Sequence, residues 1–468
     1  MTVSSRFERS VYWGCGALFL ALSILILVSV PHDRFVDYAA DGSTWIDPAL
    51  GLVRHGAFVA PNDPSILMNS RPPTYPLLVA LGMEVGGERN FAGVVVSIQI
   101  ALLLGTAAIA AICANMIDRR LGLLVFPLLL FNPNSFGTAF FVQSETLNAF
   151  FVSIVFLGLF LVAVRGSVWF AVLSGAAVGL VALTRPEARF LVFLVPFAIL
   201  LLSKLGAAKP GWRRGVLAGA LCLTTTLVAA APWMAWNYSN GVGYRLTASG
   251  NTEYYVWDSV AQIEMEATHV SESEAVERTR AIRDAFIEGQ GGRWQTLSPE
   301  EQDDELARAG LLQIASYPVS TIAKNITKAT LQFFSGAGSG RIFSLIGMPN
   351  ASAYAIMARE KMSNHADAVF ASLEEGTLVT LSVWTAAFGY VVLLRIFGLI
   401  GLWWLLKEKR YDLLLLLVSG ILYYALVIPF YGISRFRVSV ECLLVLLAAL
   451  GALAAFGSRF SLAPRRQG

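Results

Sequence analysis

The sequence predicts an α-helical polytopic membrane protein, with about ten (9–13) transmembrane helices, an outer catalytic loop and a small outer helical domain. Three observations predict it. The chain is 56% hydrophobic and only 14% charged, against about a quarter charged in soluble domains. Many windows supply the ~20 apolar residues that cross a ~30 Å hydrocarbon layer. Basic residues recur in every second connector. The net charge of +3 gives no footprint for nucleic acid.

Spans are expected near 11–31, 91–117, 121–134, 143–164, 168–184, 188–203, 215–237, 378–406, 411–431 and 437–457. Arg6, Arg9, Arg119, Arg120, Arg165, Lys204, Lys209, Arg213, Arg214, Lys407, Lys409, Arg410, Arg459, Arg465 and Arg466 then share one side. The positive-inside rule makes that side cytoplasmic. The first span is too long for a signal-peptide core and is followed by no clear cleavage site, so it is expected to stay. Two segments strain the count. Thr74–Gly86 is either the outer start of the second span or a separate interfacial helix. Thr321–Met348 carries Lys324, Lys328 and Arg341 and is expected to be interfacial or re-entrant.

The expected organisation has three parts. Residues 1–238 form an N-terminal transmembrane module that includes the first outer loop, 32–76. Residues 239–377 form an extracytoplasmic or interfacial helical region. Residues 378–468 supply the C-terminal transmembrane helices. The stretch from Ser239 to Tyr317 holds 14 of the 32 carboxylates. There Ala275–Glu288 and Glu300–Ala315 have amphipathic periodicity, the second opened by Ser298-Pro299. The four cysteines lie in apolar windows without metal or disulfide spacing, as small core residues do.

The first outer loop is the most unusual connector, with Asp33, Asp37, Asp41 and Asp47 beside a membrane surface. Asp37 and Asp41 are four apart, so a helical turn would place both on one face. Such carboxylates suit a general base on an acceptor hydroxyl or amine. They equally suit a divalent metal shared with waters and a substrate phosphate, or a solvated loop in which Asp41 caps a helix ended by Gly56. The loop closes with Arg71-Pro-Pro-Thr-Tyr75-Pro, a stiff turn whose arginine suits a lipid phosphate or ordinary headgroups.

Further charged residues fall at the outer rim. Glu145 opens the fourth span, where a helix dipole favours an acid whether or not it meets substrate. Leu183-Thr-Arg185-Pro-Glu187-Ala-Arg189 joins the fifth and sixth spans, either as a phosphate site or as a local Arg–Glu pair. Arg435 and Arg437 open the last span, and Arg437 with Glu441 has i,i+4 pairing geometry. Arg395 inside the eighth span either lines a cavity or snorkels. No P-loop, zinc motif, nucleophile elbow or dinucleotide fingerprint is present.

The ordered set of motifs resembles the GT-C superfamily of membrane glycosyltransferases, in particular the protein mannosyltransferase-like and lipid A aminoarabinose transferase-like group. It comprises Asp41-Gly-Ser-Thr-Trp-Ile-Asp-Pro-Ala, Pro72-Pro-Thr-Tyr-Pro76, Ser144-Glu145-Thr-Leu, Gly179-Leu-Val-Ala-Leu-Thr-Arg185-Pro-Glu, Pro232-Trp with Asn237-Tyr, Tyr255-Val-Trp257 and Arg435-Phe-Arg. The resemblance implies an inverting transfer on the outer face, from a polyprenyl-phosphate sugar donor to a lipid, glycan or protein acceptor. Asp41 matches the catalytic aspartate, with Asp37 as its upstream companion. Arg71, Arg185, Arg435 and Arg437 become candidates for the donor phosphate, and Tyr75, Glu145, Glu187, Tyr255, Trp257 and Arg395 for the substrate cavity. Many members carry two adjacent acids at the catalytic position. Here Gly42 follows Asp41, which weakens the expectation of a metal, and no other cofactor is expected. The expected location is a cell inner membrane, multi-pass, with the active site facing the periplasm or exterior. Two other classes compete. A transporter or flippase of lipid-linked sugars would show broken helices with mid-bilayer charges and repeated halves. A polysaccharide polymerase or ligase would carry its arginines and histidines in a large late loop.

Overall fold

The computed structural model describes residues 3–36, 42–206, 211–247, 251–348, 371, 377–427, 429–430 and 432–456. Each expected span coincides with a helix or a bent helix pair. The chain begins with α1 (Val3–Ser29), a short turn at His32–Phe35, and α2 (Gly42–His55). A small antiparallel hairpin, β1 (Val59–Ala60) and β2 (Asp63–Leu67), leads to α3 (Thr74–Ile117). Then follow α4 (Arg119–Leu130), α5 (Pro133–Ala139), α6 (Glu145–Arg165), α7 (Trp169–Ala182), α8 (Leu191–Leu205) and α9 (Trp212–Ser239). Among the described residues seven helices are long and apolar enough to cross a membrane. The α4–α5 pair, bent by 51°, would make an eighth, and Trp169–Ala182 is a shorter apolar helix.

After α9 come four helices rich in polar residues: α10 (Asn251–Thr268), α11 (Glu272–Gly289), the single turn α12 (Arg293–Thr296) and α13 (Pro299–Ser316). Next are α14 (Val319–Ser335), α15 (Ser339–Leu345), α16 (Leu378–Lys407) and α17 (Tyr411–Leu426), the last a second short apolar helix. The chain ends with the turn α18 (Ser434–Arg437) and with α19 (Glu441–Phe456). Counted along the chain, alternate helix ends collect Arg6, Arg119, Arg165, Lys204, Arg213 and Lys407 at one end of the bundle. An ion pair of Arg119 with Glu8 and hydrogen bonds between Tyr12 and Asn115 join α1 to the α3–α4 corner at this basic end. The first loop, Glu145, Arg185 and Ser434 gather at the opposite end.

The structure resolves the two ambiguous segments. Thr74–Gly86 is a distinct helix: Gly87 takes φ 74° and ψ 162°, a left-sided conformation open to glycine, and the chain folds back. Gly82 packs against Val95 and Phe91, and Gly86 against Val94. Thr321–Met348 breaks into α14 and α15 around Gly336 and Gly338. Asn325, Ala329 and Phe333 are buried while Val319 and Leu331 are exposed, so α14 is one-sided rather than apolar all round.

Helices in lipid gain little from hydrophobic association, and close backbone approach through small residues takes its place. The α16–α19 contact is of this kind. A Cβ on Gly401 would lie 2.2 Å from the Leu447 carbonyl oxygen, and one on Gly451 would lie 1.8 Å from that of Phe397. Gly401→Val should therefore force the two helices apart and destabilise the bundle by about 1–3 kcal/mol. Unfolding in detergent checks this, with an unchanged midpoint as the contrary result.

The polar helices form a cap with local logic. Ser298 and Glu301 make a reciprocal capping box at the start of α13, and Ser271 caps α11. Trp257 donates to the Leu306 carbonyl at 3.0 Å and fastens α10 to α13. Glu266 on α10 bonds Lys324 at 2.5 Å and Lys328 at 3.1 Å, fastening α14. Burial works to raise the Glu266 pKa, but the two ammonium groups outweigh it and hold it below the ordinary 4.5. A carboxyl depressed on folding adds stability above its unfolded pKa and loses it as pH falls through the folded value. Docking of α14 on α10 should weaken as pH drops below 4.5, and Glu266→Gln should abolish that dependence. Hydrogen exchange along α14 measures it.

Candidate active site

At the loop end of the bundle Trp45, Arg71, Glu145, Arg185, Pro186, Glu187, Tyr255, Asp258, Arg435 and Phe436 line one cleft. They come from six places in the chain, and local sequence explains why each side chain faces inward. Pro72 and Pro73 stiffen the entry to α3, and the Thr74 amide donates to the Leu183 carbonyl at 3.1 Å. That bond sets the Arg71 loop beside the Arg185 loop. Pro186 opens a 3-10 turn through Phe190. Glu145 lies in the first turn of α6, where the helix dipole favours an anion.

Arg185 is the centre of the cleft. Its Nη1 lies 2.8 Å from Glu145 Oε1, and its Nε donates to Glu187 Oε1. Arg185 is 6% exposed, Glu145 2% and Glu187 9%, so this is a desolvated triad rather than a surface pair. Arg435 Nε approaches the same Glu145 oxygen at 3.6 Å. Both guanidinium groups lie about 5 Å from the ring of Phe436, at 4.9 and 5.1 Å. Across the cleft Arg71 donates to Thr44 Oγ1 and to the Tyr255 hydroxyl, both at 3.3 Å, and lies 5.0 Å from the Trp45 ring centre. Burial and then the charge of Glu187 raise the Tyr255 pKa above 10, partly offset by Arg71 and Arg185. Tyr255 therefore stays a neutral phenol at physiological pH, able to accept from one arginine and still donate.

Of the residues singled out from the sequence, the structure brings Arg71, Arg185, Arg435, Glu145, Glu187 and Tyr255 to this cleft. It places the others elsewhere. Tyr75 is buried beneath, edge-on to Trp45 at 5.3 Å, with its hydroxyl bonded to Gln99 at 3.2 Å. Trp257 faces α13. Arg395 donates from Nε to the Phe334 carbonyl at 2.9 Å. Arg437 is fully buried and bonds Glu441 at 2.5 Å, the Gly336 carbonyl at 2.7 Å and the Phe333 carbonyl. Asn132 and Asn134 both donate to Glu441 at 3.2 Å, and Asn134 also donates to the Ser434 carbonyl at 2.7 Å. Arg437 thus holds the turn that presents Arg435 instead of facing the cleft itself. Asp37 and Asp41 lie outside the described residues. The segment containing them is bounded by Phe35, whose carbonyl accepts from the Val142 amide at 2.9 Å, and by Gly42 at the start of α2, which carries Thr44 and Trp45.

Asp258 was not apparent as a site residue from sequence. The available signal is its i,i+3 spacing from Tyr255, which puts both on one face of α10. Phe436 is visible only as the residue between two arginines. Among the described residues no group of three or more His, Cys, Asp or Glu is placed to hold a metal ion. Glu145 and Glu187 are each engaged by Arg185. These residues do not fit a divalent ion, and no step below runs through one.

Breaking a buried pair by removing one member leaves an uncompensated charge and costs about 3–5 kcal/mol, whereas apolar replacement of both is far milder. Arg437→Met should therefore destabilise the protein by about that amount, and Arg437→Met with Glu441→Leu should recover part of the loss. Equal unfolding midpoints for the single and double variants would contradict the assignment.

Known proteins share this fold. The architecture is shared with the archaeal oligosaccharyltransferase AglB from Archaeoglobus fulgidus, solved with an inhibitory peptide and a dolichol-phosphate. That alignment has a TM-score of 0.52 and 13% identity, over 99% of this chain and 53% of that one. The apo form of the same organism's oligosaccharyltransferase matches with TM-score 0.52 and 13% identity, over 96% and 51%. ArnT from Cupriavidus metallidurans bound to undecaprenyl phosphate aligns with TM-score 0.40 and 16% identity, over 93% and 77%. This chain spans about half the length of the oligosaccharyltransferases it matches. No curated protein matches it in sequence. The proteins matched are GT-C membrane glycosyltransferases. Residues 70–236 match the family model of dolichyl-phosphate-mannose-protein mannosyltransferase, a segment that includes Arg71, Glu145, Arg185 and Glu187.

Proposed function

We propose that this protein transfers a sugar from a polyprenyl-phosphate donor to an acceptor at the loop end of its helix bundle, with inversion at the sugar carbon. The single observation that supports this most is the cleft itself. Three arginines, two buried glutamates and three aromatic side chains from remote parts of the chain meet at the rim of a membrane bundle, where an amphipathic lipid-linked sugar has to present its head. A lipid tail requires an apolar flank, which the bundle supplies. The phosphate requires cationic donors, and Arg71, Arg185 and Arg435 line the cleft.

In this reading Asp41, with Asp37 as its companion, acts as general base. It accepts the proton of the acceptor hydroxyl or amine as that atom bonds to the sugar carbon. The bond from that carbon to the phosphate oxygen breaks, and polyprenyl phosphate leaves with the electron pair. Arginines placed beforehand around that oxygen favour the charge developing on it. Arg185 fixes Glu145 and Glu187 at the base of the site. Alternating basic connectors support a cleft on the face opposite the cytoplasm, toward the periplasm or exterior of an inner membrane. The acceptor is a lipid, glycan or protein.

Purified full-length protein in nanodiscs, supplied with a panel of polyprenyl-phosphate sugars, tests the reading. Wild type should release free polyprenyl phosphate, and a folded Asp41→Asn variant should lose at least about a hundredfold in rate, the usual contribution of a general base. Full activity in Asp41→Asn would move the base elsewhere. Intact donors that nonetheless bind and cross the bilayer would favour the flippase reading.

A further inference from the structure

The carboxylate of Glu187 is only half used. Oε1 accepts from Arg185 Nε, while Oε2 is buried without a hydrogen-bond partner among the described residues. The side chain is 6% exposed and lines the cleft. Its backbone is fixed, since the Tyr423 hydroxyl donates to the Glu187 carbonyl at 2.5 Å. The buried carboxylate of Glu441 makes the contrast. Its Oε1 accepts from Arg437 and Asn134, and its Oε2 from Asn132. Glu441 therefore has both oxygens bonded. A buried acceptor left open is costly and needs a reason.

The chemistry narrows what fits there. A phosphate oxygen is excluded by like charge. Glu187 is already paired with the buried Arg185, so a second cation there would add uncompensated charge to a desolvated group. A neutral hydrogen donor is what remains. We propose that Glu187 Oε2 is the specificity contact for a hydroxyl of the donor's neutral sugar, with the lipid phosphate held on the arginine side of the cleft. This rests on the transferase reading above. It gives Glu187 a role in reading a sugar hydroxyl, separate from phosphate binding.

Equilibrium binding by the full-length protein in nanodiscs tests it with undecaprenyl phosphate, undecaprenyl-phosphate hexoses, their monodeoxy analogues and a 4-amino sugar analogue. In wild type one monodeoxy analogue should bind about tenfold or more weakly than its parent, as expected for loss of a hydrogen bond to a charged group. Glu187→Gln should weaken the parent similarly, leave that deoxy analogue nearly unaffected, and bind bare undecaprenyl phosphate as wild type does. The deoxy series on wild type reads the contact without any substitution, so a poorly folding variant does not block the test. Equal weakening of bare undecaprenyl phosphate in Glu187→Gln would make Glu187 a mere support for Arg185 and overturn the proposal. So would a flat deoxy series or a preference for the amino sugar. If wild type binds neither the bare nor the sugar-linked lipid, the transferase reading falls and this inference with it, a result distinct from all the others.

Discussion

The site depends on where a buried guanidinium can be afforded. Arg185 sits among apolar helices, and stripping it of water costs several kcal/mol unless hydrogen bonds and opposite charge replace the solvent. Glu145 and Glu187 do that. Glu145 belongs to the first turn of α6 and Glu187 to the turn after α7, so satisfying one cation fixes two otherwise unrelated connectors. Arg435 then reaches Glu145 from the start of the last helices, and Phe436 lies beside both guanidinium groups. Removing Arg185 would leave two carboxylates facing each other in a poorly solvated space, so the rim of the cleft is built outward from this ion cluster.

A second cluster supports the first from below. Arg437 and Glu441 are fully satisfied and join the last helices to α14 and to the α4–α5 bend through Phe333, Gly336, Asn132 and Asn134. In hydrocarbon every polar group needs an internal partner, and here side chains serve the backbone carbonyls that Gly336 and the helix breaks leave open. The two clusters differ in use. The lower one has its partners complete and has no access to the cleft. The upper one lines a cleft and leaves the buried Glu187 Oε2 without a hydrogen-bond partner among the described residues. Arg435 and Arg437, two residues apart in sequence, thus fall into different clusters, one lining the cleft and one fully bonded beneath it.

That separation explains what was legible beforehand. The membrane class and helix positions follow from apolar length and basic periodicity, which are local properties. Arg71, Glu145, Arg185, Glu187, Tyr255 and Arg435 were legible as charges or aromatics at outer helix ends, where burial is expensive enough to need a reason. Sequence spacing alone did not distinguish Arg435 from Arg437. They are two residues apart, and which one faces the cleft depends on the turn geometry at Ser434–Arg437 and on a glutamate one helical turn further. The fold-back at Gly87 was hidden because adjacent glycines in an apolar run read as small packing residues as readily as a turn. Asp258 was hidden because a carboxylate in an acidic cap has no local mark.

The balance of charge in the cleft bears on how a phosphate would be received. Among the described residues Arg71, Arg185 and Arg435 line the cleft with Glu145, Glu187 and Asp258, three charges of each sign. An incoming lipid phosphate does not meet a basin of uncompensated positive charge. It has to compete with carboxylates and with neutral acceptors for guanidinium hydrogens. Arg71 hydrogen-bonds the neutral Thr44 and Tyr255 hydroxyls, and exchanging such contacts for a charged phosphate gains the larger energy of a charge-assisted bond. Arg185 lies between two carboxylates and has least to gain. On this reasoning Arg185 is the fixed centre of the cleft, and the two hydroxyl contacts of Arg71 are ones that a phosphate would exchange.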